Sequence, residues 1–320
     1  MKAMRSHQHG DVDLLNLEEV EQPVAADEQI LVAVKAAGVN PVDTYIRAGI
    51  NNYTANFPHT PGMDGAGEVV AVGKLVKDFK PGDRVYFSRT LTGSSAEYAL
   101  LDPATTFALP DAISYDEGAC LGVPYTTAHR ALFGRGQAQA GETVLIHGAT
   151  GAVGIACVQL AAASGLKVIA SAGTVEGEAL LKQQGVAQVI NHNDAEHLAQ
   201  WQQPGNGFNL IIEMLANVNL DRDLKALAPK GRVVVVGNRG TIEINPRDLM
   251  ARDASVMGMA LFNVSAPELR QIGQSLYPLL ASRMLEPVIR TTYALTELPK
   301  AHQDVLKPGA LGNLVIHIAD

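Results

Sequence analysis

Residues 143–165 read TVLIHGATGAVGIACVQLAAASG. The short apolar run that ends at His147 has the character of a strand buried on both faces of a parallel sheet. A glycine-rich turn follows, and an apolar helix starts at once. That context turns a loose glycine pattern into a dinucleotide fingerprint, because the turn and the helix N-terminus offer backbone N–H groups to a pyrophosphate. Against G-x-G-x-x-G the chain has Ala149-Thr150-Gly151-Ala152-Val153-Gly154, with alanine in place of the first glycine. The bland alternative is a turn that serves packing alone; the strand and helix on either side argue against it.

Downstream, strand-like runs recur with helical stretches between them: LKVIASAG, VAQVINH, FNLIIEML, GRVVVVG and SVMGMALF. Repeated βα units predict a doubly wound sheet, so the fold class is α/β. Upstream, DEGACLGVPYTTAHRALF carries apolar residues at helical spacing. Before it, from about Ala3 to Leu109, the runs EQILVAVKAAGVN, GAGEVVAVG, KPGDRVYF and SAEYALLD are short, alternating and broken by turn residues, the pattern of a rolled-up antiparallel sheet. The segment APELRQIGQSLYPLLASRML is helical, and the last run, NLVIHIAD, follows the sixth parallel strand and returns to complete the first domain. The expected organisation is a discontinuous domain of residues 1–120 and 263–320 around a central nucleotide domain of residues 121–262.

At 320 residues with 47% hydrophobic content the chain can fill two cores. A formal charge of −8 and a pI near 5.6 give no electrostatic footprint for nucleic acid or an acidic membrane surface. Cys120 and Cys157 are too few for a structural zinc site and read as small buried apolar residues. No run reaches the roughly 18 apolar residues of a membrane span. The opening MKAMRSHQHGDVDLL lacks the apolar stretch of a secretory signal, so a reducing, cytoplasmic setting is the expectation. Cofactor choice turns on the end of the second parallel strand, where an acid would grip the ribose 2′-OH of NAD. Ala170-Ser171-Ala172-Gly173-Thr174 holds none, which favours NADPH; no basic residue sits in that stretch either, Glu176 and Glu178 stand close by, and a 2′-phosphate would look to Lys182 or a distant arginine.

The order barrel, nucleotide domain and the landmarks GVN, PG, DGAG and GDRV together resemble the medium-chain dehydrogenase/reductase superfamily. The strings GVNPVDTYIRAG, IEMLANVNL, GRVVVVGNRGTIEINPRD and SAGTVEG are similar to its zeta-crystallin type of NADPH:quinone oxidoreductase, over essentially the full length. The resemblance implies a GroES-like β-barrel catalytic domain joined to a Rossmann nucleotide-binding domain. In zinc alcohol dehydrogenases the barrel corner reads GHExxG and its histidine holds the metal; the matching residues here are Met63 and Asp64, and Asn40 stands where those enzymes place a ligating cysteine. With both positions lost no metal is expected to polarise an alcohol, and the chemistry implied is metal-free reduction of a quinone, often an ortho-quinone, by hydride or by single electrons from NADPH, with protonation by water or a nearby hydroxyl. Two alternatives stand beside it: an NADPH-dependent alkenal or enone reductase, and an NADPH-binding structural role with little turnover.

Carried over position by position, Tyr45 matches a tyrosine facing the nicotinamide and substrate, with barrel-rim packing as its bland alternative, and Asn40 matches an asparagine at the same pocket. A second pocket tyrosine aligns with Asn51, while Tyr53 lies two places on. The resemblance points to Thr127, Thr150, Gly151, Ala152, Val153, Gly173, His192, Asn219, Val236, Gly237, Asn238, Arg239, Met259, Ala260 and Leu261 for the cofactor. Without it His192 reads as a surface histidine. His59, His129 and His147 show no metal-ligand spacing and read as structural or solvated, and Asp43 and Glu213 as pocket-rim or fold carboxylates. The run SVMGMALF, an apolar edge strand, is expected to pair with its copy in a homodimer or homotetramer.

Overall fold

The computed structural model describes residues 1–203 and 205–318, and the chain in it divides into two units. The first joins Met1–Pro124 to the chain from Ser265 onward; the second is Tyr125–Val264.

The long strand Ile30–Val39 organises the first unit. It pairs antiparallel with Asp64–Val72, Tyr98–Leu101 and Asn313–His317. Arg84–Phe87 and Thr106–Ala108 extend the sheet beyond Asp64–Val72, and Ile289–Ala294 runs parallel to Asn313–His317 at the other edge. Strand alternation puts Ile30, Val32 and Val34 into one core with Val69, Val85 and Phe87. Gly67 is needed in Asp64–Val72 because a Cβ there would collide with the Ala33 carbonyl, just where the register of the strand pair shifts. The segment NLVIHI thus does return to the first sheet, with Leu314 opposite Val39.

In the second unit all strand pairs are parallel, and the order is Gln188–Asn191, Lys167–Ala172, Thr143–Ile146, Phe208–Glu213, Leu227–Val235, Ser255–Gly258. In chain order this is 3-2-1-4-5-6, the doubly wound arrangement whose ligands lie beyond the carboxyl ends of the strands. Helix Ala152–Ala163 is buried from Gly154 to Ala161, which explains why its sequence is apolar all round. Leu145, Ile211 and Val233 from three neighbouring strands share a core with Trp201, whose ring stacks on Phe208 at 4.9 Å.

The stretch DEGACLGVPYTTAHRALF is not one helix. It breaks into Tyr115–Gly118, Gly122–His129 and a π-helical turn, Arg130–Arg135. Glycines flank the break and pack closely on the sheet: a Cβ on Gly118 would lie 2.8 Å from Ala66 Cβ, and one on Gly122 would collide with Asp64 Oδ1. Among the described residues no helix is long and apolar enough to cross a membrane.

Candidate active site

The fingerprint turn begins where Thr143–Ile146 ends. Gly148 takes a left-handed φ of 55°, and Gly151 is the extended residue before helix Ala152–Ala163. The Gly151 carbonyl accepts from Ile155 N at 2.9 Å, while the N–H groups of Ala152, Val153 and Gly154 have no carbonyl one turn earlier in the helix to bond. Gly151 brings no side chain to cap them, so the turn is suited to an anion. Gly154 is required for packing, since a Cβ there would collide with the Gly148 carbonyl.

At the end of Lys167–Ala172, a Cβ on Gly173 would collide with His192 Nε2, so the ring of His192 covers this glycine. Asn193 Nδ2 donates to the Gly173 carbonyl at 2.8 Å and fixes the two strand ends together. Burial, then the neighbouring His147 and His197, hold His192 below the usual histidine range, so its ring is a neutral surface at neutral pH. Thr174 Oγ1 accepts from Gly177 N at 3.0 Å and starts the next helix. Lys182 is in an ion pair with Glu178 at 2.6 Å.

Glu213, at the end of Phe208–Glu213, ties the next two strand ends. Its carbonyl accepts from Val236 N at 2.8 Å and Gly237 N at 3.2 Å; its carboxylate accepts from Leu215 N and, at 3.1 Å, from Asn219 Nδ2. Gly237 accepts in turn from Ala216 N at 3.1 Å, and Arg239 N donates to Asn217 Oδ1 at 2.9 Å. Asn238 Nδ2 closes its own turn onto the Gly240 carbonyl at 2.6 Å. Met259 N continues the ladder to the Val235 carbonyl at 3.0 Å, Arg130 holds the Ala260 carbonyl at 2.8 Å, and Met259 and Leu261 are buried. Thr127 is buried in helix Gly122–His129. The cofactor residues expected in this unit therefore lie at or beside the carboxyl ends of its strands, with Thr127 on the helix that enters it.

Two readings left open by the sequence are decided here by burial. Glu213 is not at a rim: it is fully buried, as is Asp43, and both are fold carboxylates. His147 is not solvated: it is buried, with Nε2 2.8 Å from Asp223 Oδ1 and 3.4 Å from Glu213 Oε2. Burial alone would push the His147 imidazolium down, but Asp223 and then Glu213 outweigh it and raise the group. Among the described residues this is the group whose donor atoms come close enough, within 4.8 Å, to consider a cation. The direct His147–Asp223 hydrogen bond makes it a hydrogen-bonded cluster instead.

The first unit holds Asn40 and Tyr45. Asn40 precedes helix Pro41–Ala48, and its N–H donates to Asp43 Oδ2 at 2.8 Å. Its Nδ2 donates to Asp64 Oδ2 at 2.9 Å. Asp64 also accepts from Val123 N, 2.8 Å from each carboxylate oxygen, and so caps helix Gly122–His129. At the corner Asn40 and Met63, the residues matched above to zinc-ligand positions, are both buried, and the neighbouring Asp64 carboxyl is committed to hydrogen bonds. Burial pushes Asp64 well above the usual carboxylate range, opposed by the bonds from Val123 and Asn40. Burial likewise raises Asp43, to about 7. Sequence reading missed Asp64 as an organising residue; the available signal was an acid inside a strand otherwise built of glycine and apolar residues.

Tyr45 is half-buried, and the ring of Tyr53 stands 6.2 Å from it at 33°. Asn51 occupies a left-handed turn with φ 56°, and the turn brings Tyr53 back beside Tyr45. Tyr45 and Tyr53 thus form a ring pair beside this turn.

Residues 26–111 match the alcohol dehydrogenase GroES-like domain family and residues 152–276 the zinc-binding dehydrogenase family. The two matches, in this order and on these two units, define the class as the medium-chain dehydrogenase/reductase superfamily. The chain is 43% identical to the quinone oxidoreductase of Homo sapiens over 320 residues, 99% of this chain and 97% of the relative. It belongs to the zeta-crystallin-type quinone oxidoreductase family within that class. Among solved structures, the quinone oxidoreductase of Pseudomonas syringae superposes with a TM-score of 0.89 at 28% identity, covering 99% of each chain. A mycobacterial protein complexed with NADPH gives the same TM-score at 26% identity, again over 99% of each chain.

Proposed function

We infer that this protein is an oxidoreductase that reduces quinones with NADPH as donor and without a metal. The observation that carries the reading is the state of the barrel corner. Asn40 and Met63 stand at the two ligand positions, and the remaining carboxylate, Asp64, is held by Asn40 and Val123. An amide and a thioether are poor zinc ligands, so polarisation of an alcohol by zinc has no ligand set at this corner. An electron-poor acceptor needs no such help.

The second unit fits a pyrophosphate through the helix start at Ala152, Val153 and Gly154, and a ribose beside Gly173, where the missing Cβ leaves the His192 ring as the wall. The lack of an acid from Ala170 to Thr174 supports NADPH over NADH. Bound there, NADPH would supply the hydride or electrons. Thr127, Thr150, Asn219, the 236–239 turn and the 259–261 segment bind and orient it. On the first unit, Asn40, held by Asp64, and the Tyr45–Tyr53 pair receive the acceptor, with Asn40 offering hydrogen bonds and the rings an aromatic surface.

The strand Ser255–Gly258 is the last of its sheet, with Val256 partly exposed, and this edge supports pairing of two copies. Two free, buried cysteines suit a reducing, cytoplasmic setting.

The test offers NADPH and NADH with an ortho-quinone, a para-quinone and a 2-alkenal, all with chelator present. Fast NADPH loss with the ortho-quinone is the expected result. A preference for the alkenal, or activity that chelation abolishes and zinc restores, refutes the assignment.

A further inference from the structure

His147, Glu213 and Asp223 meet in the interior of the second unit, none more than 2% exposed. One side of this cluster is fully bonded. His147 Nε2 is 2.8 Å from Asp223 Oδ1, and Glu213 Oε1 accepts from Leu215 N and from Asn219 Nδ2 at 3.1 Å. The other side is not: Glu213 Oε2 and Asp223 Oδ2 are sealed from water and have no donor, since His147 Nε2 is already directed to Asp223 and lies 3.4 Å from Glu213. Two carboxylates against one imidazolium would bury an unbalanced negative charge together with two orphan oxygens, an arrangement that costs several kcal/mol. A single proton removes both faults. A neutral Glu213 donates to Asp223, and the His147–Asp223 ion pair is then balanced.

We propose that Glu213 retains a proton shared with Asp223, and that the resulting neutral cluster anchors Asn219 and the Val236–Gly237 turn for nucleotide binding. The second half of this rests on the NADPH reading of the unit given above. Glu213 acts here as a positioning residue through both its ends. Its carboxyl holds Asn219, its carbonyl holds Val236 N and Gly237 N, and His147, its neighbour across the sheet, is the residue before Gly148 at the start of the fingerprint turn. One buried group thus ties the ends of two neighbouring strands to the helix that carries Asn219. Burial raises the Glu213 carboxyl, with His147 opposing, which agrees with a retained proton.

The titratable groups that act on the cluster come from three elements. His147 follows Thr143–Ile146, Asp223 lies on helix Ala216–Lys225, and His192 beyond Gln188–Asn191 acts on His147. The Leu227–Val235 strand end contributes backbone N–H groups. Loss of the shared proton at alkaline pH would place a net negative charge behind the pyrophosphate turn. NADPH binding should then weaken as pH rises, by at most about tenfold per pH unit for one linked proton.

The experiment uses the full chain and two readouts, the infrared absorption of a protonated carboxyl group and NADPH affinity, both followed from slightly acidic to alkaline pH. With the glutamate carboxyls isotope-labelled, so that the buried acids Asp43 and Asp64 do not interfere, the wild type should show a labelled buried-acid band that fades as NADPH affinity falls. Glu213→Gln, whose amide can donate to Asp223 at any pH, should lack the band and bind NADPH with a flat pH profile. Absence of the band in the wild type, a Glu213→Gln profile as steep as that of the wild type, or a stoichiometric metal that Glu213→Gln loses would each overturn the proposal. Should Glu213→Gln fail to fold, the wild-type band and affinity profile decide between the same outcomes: parallel loss supports the anchor, independent behaviour refutes it. A wild type with the band but without NADPH binding at any pH refutes the nucleotide reading and the anchoring role, and leaves the shared proton supported.

Discussion

Replacing Asp64 tests whether the barrel corner has been converted from metal site to hydrogen-bonded brace. Asp64 is fully buried and accepts from Val123 N at 2.8 Å and Asn40 Nδ2 at 2.9 Å. Asp64→Ala strands both donors where little water reaches, Val123 being 9% and Asn40 5% exposed. At about 1–3 kcal/mol for each stranded buried donor, the loss is about 2–6 kcal/mol. Asp64→Asn is the finer probe. Its oxygen can still accept from Val123, but its NH2 meets the NH2 of Asn40, so one bond is lost at about 1–3 kcal/mol and the Asn40 amide must turn. Urea unfolding measures both losses, and quinone turnover on the folded Asp64→Asn protein measures what the turned amide does to the acceptor. The expected result is graded destabilisation, Ala beyond Asn, with quinone kcat or KM altered in Asp64→Asn far more than NADPH affinity. An Asp64→Ala protein within about 1 kcal/mol of the wild type would refute the reasoning, because stranded donors cannot be that cheap.

Two further outcomes follow from the same geometry. Asp43 is held at about 7 against an ordinary 3.8. Between these values the folded chain binds the proton that the unfolded chain has released, so this group's contribution to stability falls as pH rises through that window, by about 4 kcal/mol, and is level above it. Asp43→Asn should therefore gain on the wild type in unfolding free energy between pH about 5 and pH about 8; a constant difference between the two proteins would show that Asp43 does not titrate in this range. Gly173→Ala sets a methyl against His192 Nε2, and because the obstacle is the tip of a side chain the ring can give way. It should weaken NADPH binding by about 1 kcal/mol, roughly fivefold, while thermal stability stays near that of the wild type, and unchanged affinity would remove His192 from the cofactor wall.

Much of the second unit could be read directly because its signals are local. Each parallel strand is an apolar run bounded by turn residues, and the turn from Gly148 to Gly154 carries its own geometry in its glycines. The return of NLVIHI was legible by elimination, having strand character with no place left in the parallel sheet. What stayed hidden depends on residues brought together by register. Asn40 and Asp64 are neighbours because Gly38 sits opposite Asp64 in the strand pair, a fact no composition or spacing carries. His147, Glu213 and Asp223 each end or follow an ordinary element, and only the order of the strands makes them touch. The close packing of Gly118 and Gly122 beside the broken helix was missed for a related reason, since helical periodicity says nothing about the Asp64 carboxylate and the Ala66 methyl that leave no room for a Cβ. The Tyr45–Tyr53 pair escaped because a left-handed turn at Asn51 decides where Tyr53 points.

The central place of Asn313–His317, between Ile289–Ala294 and Ile30–Val39, has a consequence for biogenesis. Val39 must wait for Leu314, about 275 positions later in the chain, before its side of the sheet is paired. The second unit is a continuous stretch and can complete its sheet while the ribosome is still at work; the first cannot, and until the last strand emerges Ile30–Val39 presents an unpaired apolar edge. During synthesis the order of maturation is thus the reverse of the order of translation: the segment made first folds last, and in that interval a chaperone would find its client in the barrel and not in the nucleotide fold.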